Sequence, residues 1–213
     1  MCALAPATAA AQATSDSAPR VPRVEITPYA GVAFNSAAGR YLGIIPDRNH
    51  LFLGAHVNVA VVRKPRWTFA YAPEIVPLLV VSDNPRVLEL SDSFGTYLAP
   101  GDPGPVFGFG FSPVGGEVQR AISSHARLFG AFAGGVVWFT RPTPTIFARK
   151  FNYTLEYGGG IQWRHGPRTA WRVGYKFHHL SNNYTAYDNP GLDGHVFFAG
   201  VSFNASPAKE PFP

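Results

Sequence analysis

Apolar and polar residues alternate along most of the chain, as in strands that present one face to an apolar environment. The first such segment, Val24 to Phe34, has polar groups on its alternate face at Glu25 and Thr27. Turn-forming stretches rich in Gly, Pro, Asn and Asp separate eight segments of this kind. Their bounds are 24–34, 51–62, 67–81, 106–112, 125–140, 151–164, 171–181 and 196–203. The pattern predicts an all-β fold of eight antiparallel strands.

The connections between these segments alternate in length. Those after the first, third, fifth and seventh segments are long, whereas those after the second and sixth are about four residues and the one after the fourth is intermediate. Short turns at one end and long loops at the other are typical of bacterial outer-membrane barrels. We therefore expect the loops 35–50, 82–104, 141–150 and 181–194 outside the cell and both termini in the periplasm.

The two faces of the strands differ in chemistry. One face is rich in aromatic and aliphatic residues, and aromatics such as Trp67, Trp163 and Trp171 lie at strand ends, as an interface girdle requires. The other face combines charges with glycine, which suits the narrow interior of an eight-stranded barrel. A transmembrane barrel with a polar interior is therefore expected, the alternative being a soluble lipocalin-type barrel with its apolar face inside.

Details of single segments refine this picture. Pro73 and Pro77 predict a bend or bulge in the third strand. In the segment 125–140 both faces are apolar or small, so its facing stays undecided.

Inside a narrow barrel, isolated charges would be strongly destabilising, so at least one buried ion pair is expected among the inward-facing charges. These are Glu156, Arg164, Arg172 and Lys176.

Composition narrows the choice of class and partner. The 213 residues are enough for one domain or one closed barrel, and the single cysteine, Cys2, excludes an internal disulfide. No run of 18 apolar residues exists. The net charge of +5 favours an anionic partner such as lipopolysaccharide phosphates or an acidic membrane surface. Nucleic acid ranks last, because no Lys/Arg cluster with interleaved aromatics is present.

The ends of the chain differ from its middle. Residues 1–13 are rich in alanine and end in Ala11-Gln12-Ala13, a small-x-small site similar to that of a secretory signal peptide. A basic start is missing and the apolar core is short, so the segment is interpreted as a truncated or atypical signal. Residues 14–22 are expected to be a disordered leader, 23–204 the eight-stranded barrel and 205–213 a C-terminal tail.

Candidate chemistry lies where the seventh strand ends. His179 and Ser181 share one face of the strand, about 6.6 Å apart along it. Asp193 follows a turn-rich loop and has the same outward parity. A hydroxyl, an imidazole and a carboxylate at one end of a strand pair form the geometry of an activated serine nucleophile. The alternative is that all three are ordinary strand-end polar residues at headgroup level.

Neighbouring residues are assigned less special roles. Asn182 is either an oxyanion donor or a turn-forming residue. His178 has inward parity and is the rival base, whereas His195 has outward parity and is a rival partner. No cluster has the ligand spacing of a zinc site. The residues alone therefore imply no metal or cofactor.

The sequence His179-x-Ser181-Asn182, with Asp193 twelve positions after the serine, resembles the lipid A 3-O-deacylase (PagL-type) family of outer-membrane esterases. The resemblance implies that Ser181 attacks an acyl ester at position 3 of a lipid A glucosamine. His179 would then be the base and Asp193 the acid that orients it. The family usually has Glu where this chain has Asp193, so the role of the acid is the part that the resemblance supports least.

The resemblance also implies the bacterial outer membrane as location and lipid A or lipopolysaccharide as substrate, without a cofactor. A homodimer and an assisting divalent ion both stay open. Two other functional classes remain at this point. One is a non-catalytic outer-membrane barrel that binds lipopolysaccharide, and the other is a soluble periplasmic lipid carrier.

Overall fold

The fold is known from a computed structural model, which describes residues 24–34, 42–82, 84–92, 95–101 and 103–205. Eleven strands occur in these ranges, and no helix long and apolar enough to span a membrane is found there. Their bounds are β1 Val24–Ala33, β2 Asn49–Arg63, β3 Trp67–Tyr71, β4 Glu74–Ser82, β5 Val87–Asp92, β6 Gly95–Pro100, β7 Val106–Ala121, β8 Ala126–Thr143, β9 Arg149–Arg164, β10 Thr169–Ser181 and β11 Leu192–Asn204.

Nine of these strands close into an antiparallel barrel. β1 pairs with both β11 and β2, so the sheet has no free edge there. β3 and β4 both pair with β2 and β7, and they follow one line that is interrupted at Ala72 and Pro73. Because β3 and β4 share one position, the nine strands occupy eight positions around the barrel, as in an eight-stranded barrel. The predicted eight-stranded barrel is confirmed. The bend or bulge predicted from Pro73 and Pro77 is found as an interruption at Pro73 and a register shift between Val76 and Leu79.

The facing of the strands is that of a membrane barrel. Large apolar side chains such as Leu53, Phe69 and Phe109 are exposed on the outside. The alternate positions are buried and include many polar and charged groups. Polar groups inside and apolar groups outside are the reverse of the lipocalin arrangement, so the soluble carrier is excluded. The undecided segment now has a facing, with Phe129 and Phe139 inside and Phe132 outside.

Charges inside the barrel are paired, as expected. Lys176 Nζ lies 2.8 Å from Glu74 Oε1 and 2.7 Å from Glu156 Oε2. At a second centre both terminal nitrogens of the Arg172 guanidinium donate hydrogen bonds to the carboxylate of Glu117. Each ion is desolvated by the barrel wall, so each pair compensates a charge that would otherwise be costly.

Three predictions about where strands and loops lie were wrong. The fourth segment does not end at residue 112, because β7 continues to Ala121 and absorbs Pro113 in a register shift between Phe111 and Val114. The predicted loop 82–104 contains the hairpin β5–β6, whose Leu88 and Leu90 alternate into the core. The last strand begins at Leu192, so Asp193 belongs to β11 itself.

The end of the barrel with long connections is closed by apolar side chains. Ile45 from the β1–β2 connection and Leu88 and Leu90 from the hairpin pack into one buried cluster with Leu180 and Leu192. These last two residues flank the candidate chemistry on β10 and β11. The cap therefore gives the site a rigid support at the barrel rim.

The predicted signal-like segment 1–13 and the predicted leader 14–22 lie outside the described residues. So does the predicted tail 205–213, apart from Ala205. The division of the chain into these segments stays a prediction.

Candidate active site

The pairing of β10 with β11 places His179 directly opposite Asp193. His179 Nδ1 lies 2.6 Å from Asp193 Oδ1. An ionised carboxylate can only accept, so Nδ1 must be the protonated nitrogen of this pair. In the neutral ring Nε2 is then the basic nitrogen. The side chain of His179 is 13% exposed and that of Asp193 is fully buried, so the imidazole alone reaches the surface.

Asp193 is held by a backbone clamp that the sequence did not reveal. Its Oδ2 accepts hydrogen bonds from the amides of Leu42, at 3.0 Å, and Gly43, at 2.9 Å. The same connection is fixed to the β10–β11 loop, since Ile44 N donates to Pro190 O at 2.8 Å. With donors on both oxygens, the ionised form of this carboxylate is favoured.

Two glycines make the clamp sterically feasible. A Cβ atom on Gly43 would lie 2.9 Å from both Gly191 C and Leu192 N, closer than real contacts allow. Gly191 has a φ of 66°, in the left-handed region that favours glycine, and a Cβ there would lie 3.0 Å from His179 Cε1. The backbone thus packs against the acid and against the imidazole edge. No local sequence pattern predicts this contact, because Gly43 and Asp193 are 150 positions apart.

Ser181 is the last residue of β10 and lies on the same outward face as His179. It is half-buried and pairs with Tyr153 of β9. Within the described residues, no hydrogen bond joins Ser181 Oγ to the imidazole. The structure therefore brings His179 and Asp193 together and places Ser181 beside them without closing the third contact. Catalytic hydrogen bonds are often long before substrate binds.

Asn182 is buried and supports the loop that follows Ser181. Its Nδ2 donates to Asp188 O at 2.6 Å, and its backbone amide donates to Asn189 Oδ1 at 2.8 Å. Its carbonyl accepts from the amide and hydroxyl of Thr185. One N–H of the side-chain amide remains for another acceptor, so the loop-forming role and a donor role are compatible.

The rival histidines have other partners. His178 faces the interior and lies 2.7 Å from Glu156 Oε1 through Nδ1. His195 faces outward, opposite Phe177 and two residue pairs below His179 and Asp193, and contacts Tyr175 Oη through Nδ1 at 2.7 Å. It packs between the rings of Tyr175 and Phe177. Of these three histidines in the described part of the chain, His179 faces outward and is bound to the carboxylate of Asp193.

The surface below the pair is aromatic. Phe177 has outward parity but is buried, because the rings of Tyr157 and His195 cover it at centroid distances of 5.1 and 5.8 Å. A base and a hydroxyl therefore lie where the apolar wall meets the polar loops. Among the described residues, no group of three or more His, Cys, Asp or Glu side chains could hold a metal ion.

A comparison with protein families finds a match. The sequence model of the family described as lipid A 3-O-deacylase (PagL) matches residues 78–202. This range contains His179, Ser181, Asn182 and Asp193. A comparison with curated proteins finds no match.

Solved structures show the same fold. The outer membrane enzyme PagL is 13% identical over 83% of this chain and 98% of that chain, with a TM-score of 0.56. Neisserial surface protein A (NspA) is 9% identical over 85% of this chain and 96% of that chain, with a TM-score of 0.52. At these identities the likeness concerns the fold alone.

Proposed function

This chain belongs to the lipid A 3-O-deacylase (PagL) family, and on that premise we propose that it hydrolyses an ester-linked acyl chain of lipid A in the bacterial outer membrane. The observation that carries the proposal is the pair of His179 and Asp193 on the outward face of the barrel rim. Here it faces the zone where the sugar and the ester bonds of a membrane lipid lie.

The proposed reaction begins with Ser181. Its Oγ attacks the ester carbonyl while His179 Nε2 takes the hydroxyl proton, and Asp193 stabilises the imidazolium that forms. Collapse of the tetrahedral intermediate breaks the bond to the sugar oxygen, which receives the proton from His179. A water molecule, activated by the same base, then releases the fatty acid from the acyl-serine. The balance requires ester and water only.

Stabilisation of the oxyanion is assigned to Asn182. Its remaining Nδ2 hydrogen is the donor in the proposed role, and the hydrogen bond to Asp188 O fixes the direction of that amide. Removing one such donor from other serine hydrolases costs about 10²–10³ in kcat. A loss of that order is expected for Asn182→Ala.

The position of the scissile ester follows from the family resemblance. The family is described by its action at the 3-O position, and we assign the same ester to this chain. Purified barrel refolded in detergent and incubated with lipid A tests the assignment. Release of a 3-hydroxy fatty acid, with a product lacking the 3-linked chain by tandem mass spectrometry, is the expected result.

Two outcomes of this assay would count against the proposal. Release of a different chain would contradict the 3-O assignment but keep the esterase. Binding of lipid A without release of any chain would favour a non-catalytic barrel that binds lipopolysaccharide.

A further inference from the structure

Among the described residues, six cationic side chains that are not buried lie at the end of the barrel opposite the candidate site. They occur in or beside the three tight turns that join β2 to β3, β7 to β8 and β9 to β10. Five are exposed and Arg164 is half-buried. The six residues are Arg63, Lys64, Arg66, Arg120, Arg164 and Arg168, and together we call them the basic collar.

Among the described residues the collar has no anionic counterpart, since none of its six side chains forms an ion pair there. The described carboxylates at this end are Glu25 and Glu117, but both are buried inside the barrel, where Gln162 and Arg172 contact them. Unpaired cations close together repel one another, so an anionic partner outside the chain would relieve that repulsion.

Tryptophans fix the level of the collar relative to a membrane. Trp67, Trp163 and Trp171 lie beside the same turns, and their outward side chains are 39–46% exposed. The guanidinium of Arg120 lies 5.3 Å from the centroid of the Trp67 ring. Tryptophan concentrates at the boundary between hydrocarbon and headgroups. The collar therefore lies where lipid phosphates are found.

We propose that the basic collar binds anionic phospholipid headgroups of the periplasmic leaflet. In outer-membrane barrels the short turns face the periplasm, so the collar meets phospholipid while the opposite rim meets lipopolysaccharide. Binding at the collar sets the depth of the barrel and so the height at which the opposite rim meets the outer leaflet. The inference rests on the charge distribution and holds whether or not the rim is catalytic.

Tryptophan fluorescence tests this directly, because three of the four tryptophans lie beside the collar. The full chain is reconstituted in vesicles of phosphatidylcholine and phosphatidylglycerol, with bromine on the acyl chains of one lipid at a time. The ratio of quenching by the two brominated lipids gives their relative binding constant at the protein surface. We expect a preference of about fivefold for phosphatidylglycerol, the contribution of one Lys or Arg near an anionic surface. In about 1 M salt, where charges are screened beyond about 3 Å, the ratio should fall towards one.

A matched pair of variants locates the effect. Lys64→Gln/Arg66→Gln/Arg168→Gln removes one Lys and two Arg from the collar, and it should at least halve the preference. Arg86→Gln/Arg149→Gln/Lys150→Gln removes the same charges from the loop end, and it should leave the ratio unchanged. Heat-modifiable migration shows that both variants are folded barrels.

A wild-type ratio near one would overturn the proposal. An equal fall in both triple variants would also overturn it, since net charge rather than the collar would then attract the lipid. If the wild type shows no lipid preference but binds an acidic periplasmic protein, the collar serves a protein partner instead.

Discussion

His179 has different surroundings at its two ring nitrogens, and this difference is what its proposed chemistry needs. Nδ1 is bound to the buried carboxylate of Asp193, whereas Nε2 makes no hydrogen bond within the described residues. Strand parity alone predicted that His179, Ser181 and Asp193 share the outer face. The family resemblance predicted that Asp193 orients His179, but the strand register that places the two opposite each other was not predictable, because the sequence placed Asp193 in a loop.

His179 and His195 form a matched pair for mutation. Both lie on the outer face of the β10–β11 pair, and both have a partner at Nδ1. We expect His179→Asn to abolish release of fatty acid from lipid A, because no base remains for Ser181. His195→Asn should retain most of the activity, since its partner is a tyrosine hydroxyl. The reverse order in a fatty-acid release assay would make His195 the base.

Asp193 is a departure from the family's usual Glu, and its short side chain already reaches the imidazole. Asp193→Asn removes the charge that holds the tautomer, so kcat should fall by about 10³–10⁴-fold. The extra methylene group of Asp193→Glu has no room, because the clamp covers the carboxylate completely. We expect the displaced carboxylate to lower kcat by roughly 10²-fold. If the Asn variant keeps wild-type kcat in purified form, the acid of the mechanism is another residue.

At the scale of elements, the clamp between the β1–β2 connection and the start of β11 decides where the acid lies. Alternation predicted the strands, and turn-forming residues predicted most connections, because these signals are local. The clamp joins backbone amides to a side chain 150 positions away, so no local signal exists for it. The sequence predicted too early an end for β7, at residue 112, for a related reason. Pro113 follows that position and normally ends a strand, but a register shift accommodates it here.

Gly43→Ala tests the clamp. The added methyl group must push the connection away from Gly191 and Leu192, which lengthens the hydrogen bonds to Asp193. We expect kcat to fall by roughly 10-fold or more, with the barrel still folded by heat-modifiable migration. Gly134→Ala is the control, because its nearest contact would be an ordinary 3.9 Å. Equal activity of the two variants would show that the clamp does not position the acid.

At the scale of the whole molecule, buried charges link the strands across the barrel interior. Lys176 on β10 bridges Glu74 on β4 and Glu156 on β9, so one side chain links strands across the interior. Lys176→Met leaves carboxylates without compensation in a desolvated interior. We expect the free energy of unfolding to fall by about 3–5 kcal/mol, measured by urea titration in detergent or lipid. Lys150→Met removes an exposed lysine and should change it little. Similar unfolding midpoints for the two variants would contradict a structural role for the network.

The barrel as a whole places a buried acid, a partly buried base and a serine at one rim, facing outward. Hydrolysis of a lipid A ester by Ser181 is tested most directly in cells. Lipid A is extracted from a Gram-negative host that expresses either the wild type or Ser181→Ala at equal membrane levels, and both samples are analysed by mass spectrometry. We expect loss of the mass of one 3-hydroxyacyl chain with the wild type and unmodified lipid A with Ser181→Ala. The same mass loss with both proteins would contradict hydrolysis by Ser181.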